Sequence, residues 1–208
     1  MRDPVFRDVQ RAHLRDPHVA PVNALVDELA GGERGWLPHV APVHGGTRAR
    51  LLWVLRDPGP KVVDPENAER GFLCVENDDA TAARLCHLID GAGIGVGDTV
   101  PWNAYPWYIN KAPSTSQLGA GADALARLLP LLPDARTVVL LGAHARRCWD
   151  LLASRHPAAT ADRHVLVTRH ASAQAFIGSP AERDRWRAEQ QEVFLRAREL
   201  MVERSSRA

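Results

Sequence analysis

Arg50-Leu-Leu-Trp-Val-Leu-Arg-Asp-Pro-Gly-Pro60 decides the fold. Its apolar half is a short continuous run bounded by turn residues, the pattern of a strand buried on both faces. Its second half is a loop that must leave the strand's carboxyl end. Three further runs behave similarly: residues 99–103 (Thr-Val-Pro-Trp-Asn), 137–141 (Thr-Val-Val-Leu-Leu) and 164–168 (His-Val-Leu-Val-Thr). Between them, helices are expected over residues 81–90 behind an Asp79 N-cap, 120–129, 143–153 and 180–203. Strands alternating with helices predict an α/β fold: a three-layer α/β/α sandwich around a mainly parallel four-stranded sheet.

Upstream, residues 5–14 and 21–30 read as short helices. The second starts with Pro21 in its first turn and is stopped by Gly31-Gly32. The Gly-, Pro- and His-rich stretch 33–47 reads as loop. The expected organisation is an N-terminal helical segment, 1–47, packed on an α/β domain, 48–208, as one structural unit.

The chain has 208 residues, 45% hydrophobic and 25% charged, with a formal net charge of +1. Such a balance excludes a protein that coats a duplex by global charge, but allows a local phosphate-binding patch. Three cysteines, Cys74, Cys86 and Cys148, include no Cys-x-x-Cys pair. They predict neither a disulfide framework, a zinc ribbon nor a four-cysteine cluster. The nine histidines show no H-E-x-x-H spacing. No metal and no cofactor are therefore expected. Without an apolar leader or a long apolar run, the expectation is a cytoplasmic monomer that does not bind membranes.

In open parallel sheets, ligands sit beyond the carboxyl ends of the strands. Three loops carry chemistry there: Asp57-Pro-Gly, Asn103-Ala-Tyr-Pro-Trp and Arg169-His-Ala-Ser. A carboxylate braced by Pro58 suits orienting a water or facing a cation, although Asp-Pro-Gly is also a common turn. His170 suits donation to a developing oxyanion. Asn103 offers a donor and an acceptor, as reading a base edge requires. Ser172 suits a phosphate.

The order of these motifs resembles the uracil-DNA glycosylase superfamily over roughly residues 50–177. Leu55-Arg-Asp-Pro-Gly59 is similar to its first motif, and His170-Ala-Ser172 to its His-Pro-Ser motif. Val139-Leu-Leu-Gly142 is similar to its penultimate core strand. The resemblance implies a monofunctional DNA glycosylase with Asp57 and His170 as catalytic residues. Phe72, Asn103, Gly59 and Asn77 would bind the flipped base. Ser172, Arg169, Gln174 and Lys111 would contact DNA, single- or double-stranded. Uracil or a modified pyrimidine would be excised, leaving an abasic site, in base-excision repair or against foreign modified DNA.

Three departures accompany the likeness. Gly59 stands where the strictly uracil-specific branch has a tyrosine that blocks the pyrimidine's C5 position. Ala171 replaces the motif's proline. Gln174, with Phe176 nearby, stands where many members place a leucine wedge.

Two other readings stay open at the level of sequence. Glu76-Asn-Asp-Asp79, together with Asp57, has the carboxylates of a Mg²⁺-dependent nuclease or phosphoesterase, or is a capped helix start. A non-catalytic DNA-binding relative is the other. Trp102, Tyr105, Trp107 and Tyr108 flank Asn103 as core or pocket-wall candidates, and Arg146 and Arg147 are candidate phosphate contacts.

Overall fold

A computed structural model describes residues 3–62 and 71–205. The chain is α/β. Two helices come first, α1 (Pro4–Ala12) and α2 (Ala20–Leu29), followed by β1 (His39–Val40) and β2 (Leu51–Leu55). Next are β3 (Phe72–Leu73), α3 (Ala80–Gly91), β4 (Thr99–Asn103), α4 (Thr115–Leu128) and β5 (Thr137–Leu141). α5 (Ala143–Arg155), α6 (Pro157–Thr160), β6 (His164–Thr168) and α7 (Pro180–Ser205) complete it.

The main sheet has the order β4-β2-β5-β6 and is parallel throughout. Side-chain alternation along the strands divides its core. Leu52, Val54, Val100, Trp102, Val138 and Leu140 pack with residues of α2, α4 and α5. Leu51, Trp53, Val139 and Leu141 pack with residues of α3 and α7, among them Leu88, Phe194 and Met201. Helices thus cover both faces. Val22, Leu25 and Val26 of α2 belong to the first of these clusters, so the N-terminal segment helps build the core.

Each of the four expected strands forms. Pro101 is tolerated because β4 lies at the sheet edge, where a missing N–H does not break a central ladder. The stretch expected as loop, 33–47, instead contributes β1, which pairs with β3 in a small parallel sheet. Helix α4 begins at Thr115 rather than 120, behind a Ser114/Gln117 capping box. A Cβ on Gly121 would stand 1.7 Å from the Ala104 carbonyl oxygen. Glycine there lets α4 press against the chain immediately after Asn103.

His44 links the two sheets. Its Nδ1 lies 3.0 Å from the Thr99 hydroxyl, which donates to the Val96 carbonyl, so His44 must supply the proton in that contact. Its Nε2 accepts from the Val75 amide at 3.4 Å. Both nitrogens are used in the neutral form, and full burial pushes the pKa down to about 3. Below its unfolded value near 6.5 the unfolded chain takes a proton that the native ring refuses. Stability is therefore expected to fall with pH from about 6.5 toward 3, by at most ~1.4 kcal/mol per unit from this residue. His44→Gln should flatten that slope in thermal melts; an unchanged slope would show that His44 does not set it.

Candidate active site

The strand register aligns one edge of the sheet. Leu55 pairs with Asn103, and Leu141 with Thr168. The segments leaving β2, β4, β5 and β6 therefore emerge side by side. The chain runs from β2 out to β4, then returns to the other side of β2 for β5. This places the topological switch point between β2 and β5, where such sheets open a crevice. A cavity of about 850 Å³ lies there. Asp57, Gly59, Asn77, Asn103, His170, Ser172 and Gln174 all line it.

Asp57 follows β2 directly, and its side chain is only 2% exposed. One carboxylate oxygen pairs with the Arg56 guanidinium. The other, Oδ2, is buried and unpartnered. Burial raises its pKa above the usual carboxylate value. Arg56, the Lys111 backbone amide and the charge of His144 pull the other way without cancelling that effect. A buried acceptor without a donor is costly, at about 1–3 kcal/mol, and such atoms cluster where a ligand supplies the partner.

Asn103 closes β4 and is 1% exposed. Neither its amide nitrogen nor its amide oxygen has a hydrogen-bond partner. Asn103 is among the residues lining the cavity, and its amide donor and acceptor together are the complement of a planar edge carrying an acceptor beside a donor.

His170 sits two residues beyond β6. Its Nδ1 accepts from the Ser172 amide at 3.1 Å, which places the proton of the neutral ring on Nε2. Burial, helped by the nearby charges of Arg56 and His144, pushes its pKa down to about 4. At neutral pH it is an uncharged Nε2–H donor. Gly142, at the end of β5, leaves room for it. A Cβ there would lie 3.2 Å from the His170 Cβ, and the backbone φ of +94° favours glycine in any case.

The other expected site residues divide between the cavity and its surroundings. Phe72 is buried in a satellite cluster with Ala41 and Cys74, and it is Leu73 that reaches the cavity beside Cys74. Asn77 lines the cavity while donating to the Phe72 carbonyl at 2.8 Å. Arg169 is exposed, with its guanidinium 4.1 Å from the Trp186 ring centroid, and does not line the cavity. Lys111 is exposed and reaches the site only through its backbone amide. Gln174 is exposed at the rim, as is Gly59, where a Cβ would meet nothing within 4 Å.

The aromatic residues flanking Asn103 do not line the cavity. Trp102, Tyr105 and Trp107 pack in the first cluster, and Tyr108 stacks on Trp36 with centroids 5.0 Å apart. Arg146 and Arg147 lie exposed on α5. Asp79 caps α3, its Oδ1 accepting from the amides of Thr81 and Ala82. Among the described residues, no three His, Cys, Asp or Glu side chains gather as a metal site requires. No helix among them is long and apolar enough to cross a membrane.

Arg56, Asn110 and His144 are polar lining residues that the sequence did not announce. His144 had a signal, because it follows Gly142 at the carboxyl end of a fourth strand. Arg56 stands inside the quoted motif, but nothing in its spacing announces a contact with its neighbour.

Searched against protein-family models and against curated proteins, the sequence matches none.

Proposed function

We propose that the chain is a monofunctional DNA glycosylase of the uracil-DNA glycosylase type, acting on uracil or a modified pyrimidine. One observation carries the proposal: a buried carboxylate, an unpartnered buried amide and a neutral Nε2–H imidazole converge on one cavity. Those are the groups that hydrolysis of an N-glycosidic bond needs. As the bond stretches, the deoxyribose gains positive charge and the base negative charge.

Asp57 in its ionised form faces the sugar cation and takes a proton from the water whose oxygen bonds to the anomeric carbon, a proton that afterwards passes to the departed base anion. The electron pair of the broken bond leaves with the base. His170 donates from Nε2 to the base carbonyl oxygen where that charge collects. A neutral donor suits this role, because it stabilises the anion without first giving up a proton. Asn103 supplies the complementary edge for the flipped base. The open space beside Gly59 accommodates a substituent on the pyrimidine. Ser172 and Gln174 at the rim are the candidate contacts to the strand. The product is a free base and an abasic site in an intact backbone.

Base release from labelled oligonucleotides tests this directly. The panel carries uracil, thymine mismatches and modified cytosines, single- and double-stranded, with and without EDTA. Alkali-sensitive sites that form equally well in EDTA are expected. Phosphodiester cleavage that EDTA abolishes would overturn the reading in favour of a metal-dependent nuclease.

A further inference from the structure

The segment that carries His170 has Ala171 where the motif it resembles has a proline, so its rigidity must come from elsewhere. It comes from α7 and α3. Gln190 of α7 is fully buried, and its Nε2 donates to the Arg169 carbonyl at 2.9 Å, one residue before His170. Its Oε1 accepts from Arg84 Nε of α3 at 3.0 Å. The orientation of the amide is chemically forced, because a carbonyl only accepts and a guanidinium only donates. Arg84 continues the chain by donating to the Arg187 carbonyl at 3.1 Å. Its guanidinium lies 5.8 Å from the ring centroid of Phe176, at the far end of the same segment. Ala171 itself is buried with Phe194 and Ala197 of α7.

Resting on the glycosylase reading, we propose that Gln190 is a positioning residue for the reaction: its amide presets the His170 loop so that Nε2 points at the leaving base. It touches neither substrate nor reacting atoms. α7 is already fastened to the sheet by Phe194, Ala197 and Met201, so this one donor is available for holding the loop. A satisfied buried network of this kind specifies a single geometry. A displacement of about 1 Å at a catalytic group, produced from outside the chemistry, can cost ~100-fold in rate.

Gln190→Glu separates positioning from simple packing. The carboxylate keeps an acceptor for Arg84 and turns the other atom into a second acceptor facing the Arg169 carbonyl. The expected result is a kcat for base release lowered about 10- to 100-fold, with KM within about twofold and a melting temperature within a few degrees of wild type. In ¹⁵N-histidine spectra, the His170 ring signals, assigned by their loss in His170→Ala, should move away from the wild-type Nε2–H pattern. Gln190→Met, which removes both polar atoms, should lower both kcat and stability.

Unchanged kcat and unchanged ring signals in Gln190→Glu would overturn the proposal. So would a Gln190→Met protein that loses stability alone and keeps full kcat per folded molecule. If the wild-type chain releases no base from any oligonucleotide, the glycosylase reading fails. The His170 ring signals then decide the role of Gln190, with a shift supporting the preset loop and constancy refuting it.

Discussion

Asp57→Asn is expected to cut base release toward the upper end of the roughly 10²- to 10⁴-fold range seen when a positioned general base is lost. It should do so without lowering the melting temperature. The two halves of this expectation share one cause. The Asp57 side chain is 2% exposed, and one of its oxygens has no partner. Burial raises its pKa, so the native fold holds the charged form at a cost. An amide of the same shape relieves that cost but gives up the Arg56 ion pair, leaving the balance near zero or favourable. Function-linked strain has this signature, in which the active residue is the less stable choice. Single-turnover kinetics on the best oligonucleotide, paired with thermal melts, provide the check. A variant that keeps activity within a few-fold would remove Asp57 from the mechanism, and one that melts far below wild type would make it a structural residue.

The sheet was legible because its strands are short, apolar and sharply bounded. Thr137-Val-Val-Leu-Leu141 has the pattern of a strand buried on both faces, and it forms over those five residues. The positions of Asp57, Asn103 and His170 then followed from topology, since a parallel sheet sends all its strand ends to one side. Their protonation states were not legible. The tautomer of His170 depends on an amide two residues away, and the burial of Asp57 on how the surrounding loops close.

Phe72 shows a different limit. It stands in a two-residue strand, where one step of parity decides which side chain meets the cavity. No periodicity can be read from two residues, and the cavity takes Leu73. The expected start of α4 at residue 120 passes over the Ser114/Gln117 capping box, and Gly121 inside the helix serves close approach to Ala104. Gln190 was hidden among the charges of the terminal helix, and its partners lie 106 and 21 residues away in sequence.

His170→Ala is expected to lower kcat about 10²- to 10³-fold, the usual cost of removing one donor to a developing oxyanion, with KM little changed. The pH profile gives this prediction its direction. His170 has a pKa pushed down to about 4, so it stays neutral, with its Nε2–H intact, from there to alkaline pH. Asp57 must be ionised, and because burial raises its pKa the active form is lost as pH falls sooner than it would be for a solvent-exposed aspartate. The acid limb of kcat/KM in wild type therefore combines the loss of the Asp57 charge with protonation of His170 near pH 4. No inflection is expected near 6.5, where an ordinary histidine titrates. In His170→Ala the Asp57 limb should persist at lower amplitude, with the His170 component gone. A wild-type limb near pH 6.5 that disappears in His170→Ala would mean that the imidazole titrates during turnover. It would then be a general base, and Asp57 would have to surrender that role.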